Sequence, residues 1–237
     1  MGQSLSIVVP AFNERRRISN LLSGLARFRE KNRYLKEIIV VDDGSTDGTA
    51  RAVRRFGKKM QLIAHAGNMG KGAAVKTGFS AAKGDFVLFM DADGSTSVSQ
   101  IPKIVSALRD SDLALGSRSV KGARITAKKP FLRHAVSVFA NFYINLLFGF
   151  GCSDVFCGFK GMRKGLAGQI MPALVSKGWI FDVELIARAK ARGARIAEVP
   201  VEWGYAGGSK LKPKKLFSAF FELAALRRKL RMEGVLK

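Results

Sequence analysis

Short apolar runs alternate with segments of helical periodicity through the first half of the chain. Runs at 5–9, 38–41, 60–64 and 86–90 are each followed by a stretch whose apolar residues recur at helical spacing, at 18–28, 49–56, 73–82 and 101–108. Strands buried on both faces read as such continuous runs, and their alternation with helices predicts an α/β fold with a mostly parallel sheet. Ligands of open sheets of this kind bind beyond the carboxyl ends of the strands. Those ends carry Pro10, Asn13 and Glu14; Asp42, Asp43, Gly44 and Ser45; Gly67, Asn68, Gly70 and Lys71; and Asp91, Asp93, Gly94 and Ser95. Four successive strand ends rich in carboxylates and glycines predict one shared site.

From Ser117 the character changes. A basic, glycine-containing stretch (Arg118, Lys121, Arg124, Lys128, Lys129) precedes a long helical pattern over 131–150, a further helix is expected near Phe181, and a last strand over 196–201. In the 131–150 segment Arg133, Ser137, Asn141 and Asn145 recur every four residues, which puts one polar stripe on an otherwise apolar helix. Two expectations follow: a core helix with a polar seam, or an interfacial helix whose apolar face, including Phe142 and Phe148, meets lipid. The tail from Lys210 holds nine basic residues against two acidic ones, interleaved with Leu216, Phe217, Phe220, Phe221, Leu223 and Leu226. It reads as a cationic amphipathic helix.

Composition sharpens this picture mainly through charge. The 237 residues are 47% hydrophobic and 25% charged, which excludes disordered and collagen-like chains, but 41 Lys and Arg against 18 Asp and Glu leave a net +23. Such a balance predicts attraction to a polyanion, either nucleic acid or an anionic membrane surface. No RRM, KH or zinc motif is present, and the tail phenylalanines fall at helical spacing, so anionic lipid is the expected partner and nucleic acid is not. Cys152 and Cys157 cannot make a disulfide framework and fit reduced thiols of a cytosolic protein. No leader segment is read at the amino terminus and no uninterrupted apolar run reaches 18 to 20 residues, so peripheral attachment is expected rather than a membrane span.

The chemistry is concentrated in three motifs. Asp91-Ala92-Asp93 follows FVLFM and brings two hard oxygen ligands to the open end of a buried strand, suited to Mg²⁺ or Mn²⁺ bridged to a diphosphate. An acidic turn or helix cap is the plainer reading of the same residues. VDDGSTDGT supplies turn and capping residues, but the doublet Asp42 and Asp43 exceeds what a cap needs and suits hydrogen bonds to a base or ribose. GNMGKGAAVKTGF puts glycines and Lys71 before a helix, an anion cradle that is neither a P-loop nor a dinucleotide fingerprint. His65 and His134 lack ligand spacing and are read as structural.

Taken together and in order, VVPAFNE, VVDDGSTDGT, GNMGKGAA, MDADGST and GSR resemble glycosyltransferase family 2, and DVFCGFKGM, WIFDVEL, EVPVEW and GGSKLKP resemble its dolichyl-phosphate glucosyltransferase branch. The resemblance implies a GT-A-type glycosyltransferase domain over 1–210, with a nucleotide-sugar half (1–118) and an acceptor half (119–210), followed by a basic amphipathic tail (211–237). It implies nucleotide-sugar contacts by Pro10, Phe12, Glu14, Val41, Asp43, Lys71 and Ala92, a metal held by Asp91 and Asp93, and Lys210 on a loop closing over the donor. Arg118, Arg133 and Ser137 would hold the acceptor phosphate, with Arg118 and Arg133 also counted as catalytic beside the two aspartates. Asp182 and Glu184 would lie near the site, although a dipole-favourable helix start is the plainer account of them. The implied reaction is metal-dependent, inverting transfer of glucose from UDP-glucose to a polyprenyl (dolichyl) phosphate at the cytoplasmic face of a membrane, with a membrane partner subunit left open. Related mannosyltransferases place an arginine where Gly204 stands here, which favours the glucosyl donor over GDP-mannose. A non-catalytic basic RNA- or membrane-binding module is the alternative from another class.

Overall fold

The computed structural model describes residues 3–128, 130–207 and 213–236; of residues 132, 133 and 213–220 only the backbone is described. The loop lysine Lys210 and the side chain of Arg133 therefore lie outside the described residues. A seven-stranded sheet runs in the order β3-β2-β1-β4-β7-β5-β8. Its strands are β1 (Leu5–Ala11), β2 (Leu35–Asp42), β3 (Gln61–Ala64), β4 (Phe86–Met90), β5 (Leu113–Ser117), β7 (Phe159–Arg163) and β8 (Ile196–Pro200), and a separate parallel pair joins β6 (Arg124–Ala127) to β9 (Glu202–Gly204).

All four apolar runs of the first half are strands, and they pair in parallel. Alternate residues serve the two faces: Ile7, Val9, Ile38, Val40, Leu88 and Met90 point into one core cluster, and Val8, Ile39, Val41, Val87 and Phe89 into the other. Helices α1 (Arg15–Lys31), α2 (Thr49–Arg54) and α4 (Ile101–Asp110) cover the first face; α1 does so with Ile18, Leu21, Leu22 and Leu25. Helices α3 (Lys71–Ala81), α6 (Lys164–Ile170) and α7 (Phe181–Ala191) cover the second. Helix α3 comes close because Gly78 faces β1; a Cβ there would stand 2.2 Å from a Val8 methyl.

Two sheet strands carry no long apolar run and depart from the sequence expectation. β5 and β7 complete the sheet, and β7 runs antiparallel to both β4 and β5, between which it is inserted. Residues 118–158 form an excursion that leaves β5 and returns on its neighbour β7.

The excursion contains α5 (Phe131–Phe148). At Asn141 and Asn145 its polar stripe is an internal seam. Asn141 Nδ2 donates to the carbonyls of Cys152 and Ser153, its Oδ1 accepts from Val155 N, and Asn145 bonds both the N–H and the carbonyl of Cys152. Phe148 and Ile144 are core residues, so Phe148 does not belong to a lipid-facing surface as expected. Phe131, Val138, Phe139, Phe142 and Leu146 are exposed. The last helix, α8 (Pro213–Met232), buries Leu223, Leu226 and Leu230 in the second core cluster while Phe221 and Met232 stay exposed. Its carboxyl-terminal half is therefore docked on the domain.

Candidate active site

The carboxyl ends of β1, β2, β4 and β5 open on one edge, and the chain turns there with unusual local geometry. After β1, Asn13 adopts a left-handed φ of 52°. The VDDGSTDGT segment holds this turn: Ser45 Oγ accepts from Asn13 N, Asn13 Oδ1 from Thr46 N, and Thr49 Oγ1 from Glu14 N. Glu14 grips Arg17 with both oxygens, and Arg17 reaches the Gly207 carbonyl. Pro10 and Val41 are buried partners in adjacent strands and form the floor beneath the turn.

Asp43 is inward-facing. Its carboxylate accepts from Met69 N, Gly70 N and the His65 ring, and His65 in turn meets Thr77 Oγ1. In this structure Asp43 therefore anchors the glycine segment ahead of α3, with His65 as a structural bridge, and Asp42 accepts from Ser45 N. Gly44 sits where a Cβ would fall 2.4 Å from the Gly67 backbone, which is why the two loops meet so closely.

At the end of β4, Asp91 and Asp93 are joined by Lys71, whose ammonium lies 2.6 Å from Asp91 Oδ1. Burial by itself would lower the pKa of that ammonium, but Asp91, Asp182 and Asp93 reverse this and hold it above the ordinary lysine value. Asp93 accepts from Ser95 N, and burial followed by the charge of Asp91 pushes its carboxyl up. Gly94 closes the turn at φ 72°. Asp91 lies against Gly158, where a Cβ would stand 1.9 Å from Oδ2. The glycine of CGFK is there to admit that carboxylate.

Behind this pair lies a second one that the sequence reading missed. Lys160, fully buried in β7, donates to Asp182 Oδ1 and to the Cys157 carbonyl, both at 2.6 Å. Burial raises the Asp182 carboxyl, opposed by Lys160 and Lys71. Glu184, also fully buried, pairs with Arg188. Both acids stand in the first turn of α7 as the sequence placed them, yet their partners are buried cations and neither opens to solvent. Cys157 is buried and its thiol is pushed up to about 12 by desolvation, so it is inert at neutral pH.

Arg118, just past β5, is held in a fork by Asp154, with Nε at 2.6 Å and Nη2 at 2.7 Å, and its guanidinium lies over the Trp203 ring, 5.2 Å from the centroid. Burial disfavours the charge, and Asp154 more than restores it. Asp154 and Trp203 thus give DVFCGFK and EVPVEW a shared role as the mount of Arg118. Ser137 lies partly buried on α5, two turns before the Asn145 seam. Gly204 keeps β9 close to β6; a Cβ there would fall 2.7 Å from Thr126 Oγ1.

The donor set at Asp91 and Asp93 fits a hard divalent cation. Asp91 pairs with Lys71 and Asp182 with Lys160, while Asp93 has no such ammonium at ion-pair distance among the described residues and is pushed up by burial and by the charge of Asp91. Among the described residues no group of three or more His, Cys, Asp or Glu forms a metal cage, so a cation held here would complete its shell with water and bound phosphate oxygens.

The model for "Glycosyl transferase family 2" matches residues 6–171, from β1 through the carboxylate pair to the end of α6. The chain belongs to glycosyltransferase family 2. This glycosyltransferase is 35% identical over 236 residues to the dolichyl-phosphate beta-glucosyltransferase of Dictyostelium discoideum, covering 93% of this chain and 71% of that one. It is 34% identical to the Saccharomyces cerevisiae protein of the same name (87% and 69% covered) and 32% identical to the Homo sapiens one (89% and 70% covered). Among solved structures it shares its fold with glucosyl-3-phosphoglycerate synthase from Mycobacterium tuberculosis. The complex with UDP superposes at a TM-score of 0.72 with 20% identity, covering 100% of this chain and 82% of that one. A complex of the same synthase with Mn²⁺, UDP-glucose and phosphoglyceric acid gives a TM-score of 0.72 over 94% and 78% of the two chains.

Proposed function

We infer that this glycosyltransferase moves glucose from UDP-glucose to a dolichyl-type polyprenyl phosphate, with inversion, at a membrane surface. The observation that carries this reading is the 32–35% identity with dolichyl-phosphate beta-glucosyltransferases over 87–93% of this chain. An acceptor phosphate with a second pKa of about 6 is already ionised near neutral pH, so the protein needs no strong general base. Its work is placement and charge.

Asp91 and Asp93 would hold Mg²⁺ or Mn²⁺, which when bound supplies Lewis-acid stabilisation to a leaving nucleoside diphosphate. Lys71, kept protonated by three carboxylates, adds a second positive charge beside the same phosphates. Arg118, oriented by Asp154 and Trp203, presents the rest of its guanidinium to the acceptor phosphate, with Arg133 and Ser137 of α5 as its companions in that role. The Asn13 turn, Glu14 and the loops tied together by Asp43 would frame the nucleotide.

No helix among the described residues is long and apolar enough to cross a membrane. The exposed face of α5, flanked by the basic 121–128 stretch, supports attachment to an anionic bilayer. Replacing Phe139 and Phe142 together with serine is expected to weaken flotation with anionic vesicles by at least about tenfold, since each buried phenylalanine contributes roughly 1.5–3 kcal/mol. The melting temperature should move little, because both rings are more than half exposed and only Phe139 stacks, on Tyr143; undiminished flotation would place the bilayer contact elsewhere.

The deciding experiment for the reaction is radiolabel transfer from UDP-glucose and, in parallel, GDP-mannose to polyprenyl phosphate in anionic vesicles, with Mg²⁺ or Mn²⁺ and with EDTA. Metal-dependent labelling from UDP-glucose alone is expected. Labelling from GDP-mannose alone would overturn the donor, and no labelling from either would overturn the acceptor or the activity.

A further inference from the structure

The segment between α6 and α7, residues 171–180, is fixed to the body of the protein from three directions. Lys76 Nζ donates to the Pro172 and Leu174 carbonyls at 2.9 and 3.0 Å. Val175 N and Ser176 N donate to the buried Glu184 carboxylate, which Arg188 holds from the other side and Glu233 steadies through Arg188. The Lys177 carbonyl accepts from Gly72 N at 2.7 Å. Gly70 and Gly72 of GNMGKGAA make room for this contact: a Cβ on Gly70 would stand 2.3 Å from the Lys177 oxygen, and one on Gly72 2.4 Å from the Ser176 oxygen. A loop so anchored is a rigid mount rather than a mobile lid.

What it mounts is an aromatic ring in the open. Trp179 is 44% exposed, and its ring centroid lies 5.8 Å from Lys71 Nζ, the ammonium that contacts Asp91. The other tryptophan, Trp203, is buried under Arg118, where its packing is accounted for. A large indole held half-bare on a fixed base beside the diphosphate end of a site offers a flat apolar wall to whatever is attached to that diphosphate.

We propose that Trp179 is the platform for the donor hexose and selects its stereochemistry. The proposal rests on the UDP-glucose reading and names the residue that reads the sugar. In the α-linked donor the C1–O bond to the diphosphate is axial and the hydroxyls of glucose are equatorial, so the face opposite the diphosphate presents only axial C–H groups there and can pack flat on an aromatic ring. An epimer with one axial hydroxyl, such as galactose at C4, pushes an oxygen out of that plane and leaves the ring partly uncovered. Lys71 and the carboxylates fix the diphosphate next to the ring, so the hexose attached to it lies within reach of the indole face.

The test compares UDP and UDP-glucose binding to the wild-type protein and to Trp179→Ala and Trp179→Phe, by titration calorimetry with Mn²⁺ present. In the alanine variant UDP-glucose affinity is expected to fall about tenfold with UDP affinity unchanged, and the preference over UDP-galactose to shrink by a similar factor. Phenylalanine, which keeps a flat ring, restores most of both. UDP-glucose, and not UDP, should quench the emission that Trp179→Phe removes. Equal loss of UDP and UDP-glucose affinity, or no loss of either, would overturn the platform. So would a rise in the KM for polyprenyl phosphate with the donor KM unchanged, which would assign the ring to the acceptor. A wild-type protein that binds neither UDP nor UDP-glucose would overturn the donor reading itself, and the platform with it.

Discussion

Asp93→Asn and Asp91→Asn are each expected to cut glucosyl transfer roughly 10³-fold or more while leaving the protein folded. The two carboxylates leave β4 at its open end, and both are needed if a divalent cation is to be shared with a diphosphate, because among the described residues no cluster of three ligating side chains stands ready to replace one of them. Stability should hold for Asp93→Asn, whereas Asp91→Asn also loosens the pair with Lys71. Asp93 is a desolvated carboxylate facing a like charge, so neutralising it relieves repulsion, and the Ser95 N–H still finds an amide oxygen. Initial rates at saturating Mn²⁺, alongside thermal melts by circular dichroism, separate the two effects. An Asp93 variant that keeps most of its metal-dependent rate would remove this carboxylate from the mechanism.

Lys160→Met should have the largest effect on folding. The ammonium is fully buried, and its removal takes from the buried Asp182 its ion-pair partner. Breaking a buried pair from one side costs about 3–5 kcal/mol, whereas replacing both partners with apolar groups of similar size is often close to neutral. For a chain of this length that corresponds to a fall of roughly 10 °C in melting temperature. The double replacement Lys160→Met with Asp182→Leu should recover most of it. Guanidinium melts of the two variants check the pair directly; a Lys160→Met protein as stable as the wild type would show that Asp182 is satisfied without it.

The two expectations concern charges that were legible to very different degrees. Asp91 and Asp93 announce themselves locally, as carboxylates two residues apart at the end of a continuous apolar run. Lys160 hides because its partner lies 22 residues away and because it interrupts the apolar pattern of its own strand, FKGMR. For the same reason β7 was not visible as a strand at all, and with it the antiparallel insertion that brings Gly158 against Asp91. The sequence points to Arg118 as a phosphate ligand, but its dependence on Asp154 and Trp203 is a property of chain segments brought together by folding. On α5, periodicity located the polar stripe correctly, yet spacing alone says nothing of which side packs inward; the Asn141 and Asn145 bonds to the 152–155 segment decide it, and they put Phe148 in the core. The glycines around Lys71 were read as room for an anion, and the structure shows that Gly70 and Gly72 make room for the Trp179 loop.

The antiparallel strand β7 has a further consequence, for how such a chain can diversify. Because residues 118–158 depart from β5 and come back on the adjacent β7, with Leu115 opposite Lys160, the excursion begins and ends at nearly the same point of the sheet. That point is also where Met90 pairs with Phe159, one residue from Asp91. A segment with both ends pinned so close together is a cassette: it can lengthen, shorten or be exchanged without disturbing the order of the parallel strands that frame the nucleotide end. On the proposed roles, an exchange at this one seam would alter the acceptor side and leave the carboxylate pair at the end of β4 in place.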